Sequence, residues 1–135
     1  MDVPLIARFT KFVLAGGVGF LVEAGIITWL VSGLNINIFH ARAVSFSVAV
    51  TLTWAINRNF AFAGLQMKQK GREYSAYLLV QVVGAALNLV VFVIFIAVYP
   101  QFRATPVIPL ATGAAVALSF NFGASGAWVF NDRNE

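Results

Sequence analysis

From Tyr74 to Tyr99 the chain carries no charged residue. Such a stretch exceeds the roughly 20 apolar residues that cross the hydrocarbon of a bilayer as a helix. Three further runs have the same character: about 6–32, interrupted by Glu23; about 39–63, with Arg42 near one end and Arg58 near the other; and about 107–130, opened by Pro106 and Pro109. They are continuous rather than alternately apolar and polar, which favours helices over the strands of a barrel. The connections are Gly33 to Phe39, the basic segment Gly64 to Glu73, and Pro100 to Pro106, and none is long enough to hold a domain. The expected fold is an all-α membrane protein, with residues 1–135 forming one membrane domain of four transmembrane helices.

Composition agrees. Over 135 residues, 60% are hydrophobic and 10% charged, whereas soluble domains are about a quarter charged and a small soluble fold has too much surface to hide so much apolar side chain. The absence of cysteine removes disulfides, thiolate metal sites and thiol nucleophiles, and His40 is the only histidine. No carboxylates share a metal-ligand spacing with it, so no metal and no cofactor are expected.

Positive residues near span ends are retained on the cytoplasmic side. Arg8, Lys11, Arg58, Lys68, Lys70, Arg72 and Arg133 fall on one side, Arg42 and Arg103 on the other, so both termini are expected to be cytoplasmic. The net charge of +4 is then a topology signal, no nucleic-acid partner is expected, and Lys68, Lys70 and Arg72 are expected to touch anionic membrane lipids. Arg8 and Lys11 before an apolar stretch also resemble a signal peptide. The run continues past Glu23 through Ala24 to Val31, which favours a retained span.

Sliding the chain against itself by 68 residues places Phe60 on Trp128, Phe62 on Phe130, Trp54 on Phe122, Ala49 on Ala117 and Ala43 on Ala111. The same shift places Phe9 on Tyr77, Phe12 on Val80 and Gly16 on Gly84. A two-helix hairpin is therefore expected twice, about 1–67 with 69–135. Two spans per unit make it a parallel rather than an inverted repeat.

Ionisable groups in hydrocarbon are costly and mark function or pairing. Glu23 lies about 22 Å up its helix from Arg8, where Arg42 enters from the opposite end of the next span. A Glu23–Arg42 pair is expected, either as a structural clamp or beside a substrate path. Arg58, near the inner boundary, either snorkels to headgroups or binds phosphate with its planar fork. Its neighbour Asn57 points about 100° away on a helix. Gln81, Asn88 and Asn121 are amides of the kind that bond between helices. Gly16, Gly19, Gly84, Ala85, Ala86, Gly123 and Gly126 permit close packing within the chain or in a homo-oligomer. Trp29, Trp54, Phe60, Tyr74, Tyr99 and Trp128 suit an interfacial aromatic belt.

The segments Arg8 to Ile26, Ala41 to Phe62 and Asn121 to Phe130, in this order with four spans, resemble the GtrA-like membrane proteins over nearly the whole chain. Trp54, Asn57, Arg58, Phe60 and Phe62 look like that family's aromatic, Asn-Arg, aromatic ending. Thr53, Glu23 and Gly126 depart from it, standing where the family often has asparagine, aspartate and a basic residue. The resemblance implies a non-enzymatic translocase. It would flip a polyprenyl-phosphate-linked sugar to the outer leaflet of a bacterial or archaeal inner membrane, for glycosylation of cell-surface polysaccharides. Arg58 or Arg42 would neutralise the phosphate, Asn57, Asn88 and Asn121 would meet hydroxyls, Trp54 would stack on a sugar, and Glu23 would lie beside the path. Two alternatives are a non-transporting membrane partner of a glycosyltransferase, with Lys68 to Arg72 as its handle, and a proton-coupled exporter using Glu23. A glycine-rich nucleotide loop and a nucleophile with a histidine partner are both absent from the sequence.

Overall fold

The computed structural model describes residues 3–105 and 107–131; Pro106 and Arg133, used above, lie outside them. It is 85% helical, with no strand among the described residues. Helix α1 spans Leu5–Thr28, α2 Ile38–Ile56, α3 Lys70–Val98 and α4 Val107–Ala124. α1, α2 and α4 each run on into one wider π turn, at Trp29–Gly33, Asn57–Ala61 and Ser125–Val129, and a 3-10 turn at Pro100–Arg103 follows α3. With those turns, the apolar helices Leu5–Gly33, Ile38–Ala61, Lys70–Val98 and Val107–Val129 are each long enough to cross a membrane.

The third helix starts at Lys70, four residues before the apolar run. Lys70 to Glu73 form its polar first turn, where the Glu73 carboxylate complements the positive end of the helix. An apolar run marks the length inside hydrocarbon, and a helix can extend past it.

The chain forms two compact units, one ending at Lys68 and the other covering Gln69–Asn131. In the first, α1 packs against α2 as a hairpin; in the second, α3 packs against α4. The connection after α1 turns at Asn35, whose φ of 52° is left-handed, a conformation asparagine tolerates better than most residues. Asn37 then caps α2, its Oδ1 accepting the Phe39 N–H at 2.9 Å.

Both hairpins are zipped by small residues at helical spacing. The buried face of α2 is Ala41, Ser45 and Ala49, and that of α4 is Pro109, Gly113 and Ala117. Opposite them lie Phe12, Ala15 and Gly19 on α1, and Tyr77, Val80 and Gly84 on α3. An aromatic contact closes each hairpin near the C-terminal end of its second helix: Phe12 meets Phe62 at 6.1 Å, and Tyr77 meets Phe130 at 6.0 Å between centroids.

These faces revise the alignment of the halves. The second helices correspond at 68 residues, down to the π turns, where Phe62 N–H bonds Asn57 O and Phe130 N–H bonds Ser125 O, each at 2.8 Å. The first helices correspond at 65: Phe12 with Tyr77, Ala15 with Val80, Gly19 with Gly84. The expected partner of Gly84, Gly16, faces open space. The segment between the first and second buried faces is three residues longer in the second unit, and chance matches of small and aromatic residues hide that gap in an ungapped comparison.

Gly19 is required because a Cβ there would run into the Thr53 methyl, and Gly84 because one would run into the Asn121 amide. Gly19→Val and Gly84→Val are expected to destabilise the protein by about 1–3 kcal/mol through overpacking. Gly16→Val, the same change on an open face, should shift stability by well under half of that. Unfolding of the three variants in mixed micelles compares them directly; equal losses at Gly16 and Gly19 would restore the 68-residue register.

Candidate functional site

Hydrocarbon offers an ion no water, so intramembrane charges are where chemistry is to be sought first. α1 supplies Glu23 and α2 supplies Arg42, one turn into its helix, and the hairpin packing brings them together. Arg42 Nη1 lies 2.6 Å from Glu23 Oε1. The contact is a charge pair rather than an aligned hydrogen bond: Glu23 Oε1 is enclosed yet accepts no bond of good angle. The two partners differ in access, the carboxylate side chain being 17% exposed and the arginine side chain 63%. A guanidinium has five N–H donors, so an edge of Arg42 remains open.

Beside the pair is a cavity of about 230 Å³ lined by Phe20, Glu23, Ala24, Ile27 and Arg42. Apart from the two ions, its walls are apolar.

The second cluster lies roughly 24 Å away along α2, taking sixteen residues at 1.5 Å each. Asn57 opens the π turn and is fully buried, whereas Arg58 is half-buried, so the two adjacent side chains do not share an open surface. Arg58 Nη2 donates to Met67 O at 3.2 Å, and its guanidinium sits 5.9 Å from the Trp54 ring centroid. This arginine ties the segment after α2 back onto the helix. Lys11 Nζ lies over the Phe60 ring at 4.7 Å, a further cation–aromatic contact of the same hairpin.

Asn88 and Asn121 belong to the second hairpin. Asn121 Nδ2 donates to Gln81 Oε1 at 3.3 Å, across the α3–α4 seam, and its enclosed Oδ1 accepts no bond. Asn88 lies against Gly113, whose added Cβ would come within 2.7 Å of the Asn88 carbonyl oxygen. Both amides thus serve helix packing, as polar groups between membrane helices commonly do.

The corrected register makes a comparison the sequence match hid. Glu23 corresponds to Asn88, Arg42 to Leu110 and Arg58 to Gly126. Each of these three charged residues has a neutral counterpart in the second hairpin. Sequence reasoning also passed over Glu73, a fully buried carboxylate among basic neighbours; its place in a polar, basic segment gave no sign of burial.

The structure is that of a multi-pass integral membrane protein made of two helical hairpins. The chain belongs to the family described as GtrA/DPMS, transmembrane domain, whose model matches residues 11–130, a range that includes both closing aromatic contacts and the Glu23–Arg42 pair. The family is linked to processes of lipid-linked sugars. Comparison with curated proteins gives no match.

Loss of the Arg58 contact should loosen the segment C-terminal to α2. Arg58→Gln is expected to raise amide exchange over Leu65–Lys68 on the order of tenfold, the equivalent of one hydrogen bond to a charged group. Exchange near Arg42 should stay as it was. Unchanged exchange over Leu65–Lys68 would mean that the Met67 contact contributes no local stability.

Proposed function

We propose that the protein moves a polyprenyl-phosphate-linked sugar from the cytoplasmic to the outer leaflet of a bacterial or archaeal inner membrane, supplying donors for cell-surface polysaccharide glycosylation. It does so without covalent chemistry. Family membership supports the substrate class, and one observation carries the mechanism: the open edge of the Arg42 guanidinium beside an otherwise apolar cavity. A phosphate crossing hydrocarbon needs a cation, and the planar fork of arginine meets two of its oxygens. The prenyl tail needs no enclosure, because exposed apolar side chains such as Phe20 and Leu21 leave it in contact with lipid.

The cavity, at about 230 Å³, falls below the roughly 300–1,000 Å³ of sites that enclose a drug-sized ligand. It suits the phosphate, with the sugar outside it. A homo-oligomer would complete the sugar's path. Arg58, already committed in part to Met67 O, is then secondary to Arg42.

A proton-coupled exporter using Glu23 is disfavoured by the Arg42 contact at 2.6 Å. That role needs a carboxylate open to a cationic substrate, whereas Glu23 is already held against a guanidinium.

Two measurements test the proposal. Vesicles containing the purified protein should exchange a fluorescent polyprenyl-phosphate sugar between leaflets, with Arg42→Gln lowering the rate at least about tenfold, the scale of a lost charge-assisted contact, and Arg58→Gln lowering it less. Absence of wild-type exchange across several donor lipids would replace transport with the role of a glycosyltransferase partner. For orientation, the chain has no cysteine, so single variants report cleanly. Lys68→Cys should react with an impermeant thiol reagent only from the cytoplasmic side, and Leu34→Cys only from the outside; the reverse pattern would invert the proposed topology.

A further inference from the structure

Resting on the phosphate role of Arg42 proposed above, we infer that Glu23 sets the charge state of the lipid headgroup that the site accepts, favouring a singly charged phosphodiester over a doubly charged phosphomonoester. The two ions sum to zero: one guanidinium, already in contact with one carboxylate at 2.6 Å. The pair has no excess positive charge to hold a dianion.

Distance makes the carboxylate matter. A phosphate oxygen bonded at about 2.8 Å to the open edge of the same guanidinium lies within about 8 Å of Glu23 Oε1, with apolar Phe20, Ala24 and Ile27 around it. At that range, in a medium poorer in water than the surface, each added unit of negative charge on the ligand meets substantial repulsion. The carboxylate cannot swing away at no cost, because it is largely enclosed.

The second hairpin has no equivalent device, since Asn88 and Leu110 occupy the corresponding places. The selectivity therefore belongs to the first hairpin alone.

The chemical consequence is a direction of discrimination. A prenyl phosphate carrying a sugar is a diester with one charge. The same lipid after the sugar is transferred is a monoester, with a second ionisation near pH 6. A site of this kind takes the loaded carrier and releases or refuses the spent one.

The test separates charge from sugar by using two probes with one tail: a short polyprenyl phosphate and its methyl phosphodiester. Both are titrated at pH 8 onto the full chain in discs of zwitterionic lipid, where the monoester is doubly charged. Wild type is expected to bind the diester on the order of tenfold more tightly. Glu23→Gln should close that gap to within about twofold by gaining affinity for the monoester, and Glu23→Asp, which keeps the charge, should preserve it.

Equal binding of the two probes by wild type would overturn the inference without any variant having to fold. So would a Glu23→Gln variant that weakens both probes alike. Arg42→Gln distinguishes the two levels of the proposal. If it loses both probes while Glu23→Gln leaves the ratio unchanged, the phosphate site stands and the selectivity falls. If Arg42→Gln binds both as wild type does, the phosphate site itself is wrong.

Discussion

Lipid tails are as apolar as leucine, so burying apolar surface gives membrane helices little reason to associate. Two of them are held together by close backbone approach at small side chains and by the pairing of polar groups that have no water to turn to. Each hairpin here is built on that constraint. Gly19 lets α1 close on Thr53, Gly84 lets α3 close on Asn121, and the stripes of Ala41, Ser45 and Ala49 and of Pro109, Gly113 and Ala117 present narrow faces to them. Many large apolar residues, Phe20, Leu21, Phe39 and Leu89 among them, are exposed, as expected where the solvent is hydrocarbon.

The same packing plan carries two different polar contents. In the first hairpin it brings Glu23 and Arg42 into contact and sends Arg58 to the Met67 carbonyl. In the second it brings Asn121 to Gln81 and sets Asn88 against Gly113. The paired charges between helices are thus found in one copy of a shared scaffold, and the buried carboxylate of the other, Glu73, lies in the first turn of α3. A neutral amide serves adhesion between helices at small desolvation cost, whereas an ion pair in hydrocarbon is costly enough to suggest a ligand that uses it.

Sequence periodicity was misleading at one point for an identifiable reason. An ungapped shift of 68 residues aligns the second helices correctly, because aromatic and small residues recur there in matching order. On the first helices the same shift matches Gly16 with Gly84 although only Gly84 is buried. Glycine, alanine and valine are too common in membrane spans for such coincidences to discriminate registers. Burial discriminates them, because one wrong residue in a helix turns its face by about 100°.

The existence, number and approximate limits of the four helices came from apolar run length alone, since a bilayer sets that length directly. The meeting of Glu23 with Arg42 was legible too, because two opposite charges in adjacent spans have few other partners. Side-chain access was not. That Arg42 keeps an open edge, that Asn57 is buried while Arg58 caps a backbone carbonyl, and that Glu73 is enclosed all depend on which side of each helix faces its neighbour. Sequence by itself determined what must lie in the membrane. Tertiary packing decided which polar atoms remain available within it, because a small rotation of one helix exchanges a buried group for an exposed one without changing any local preference.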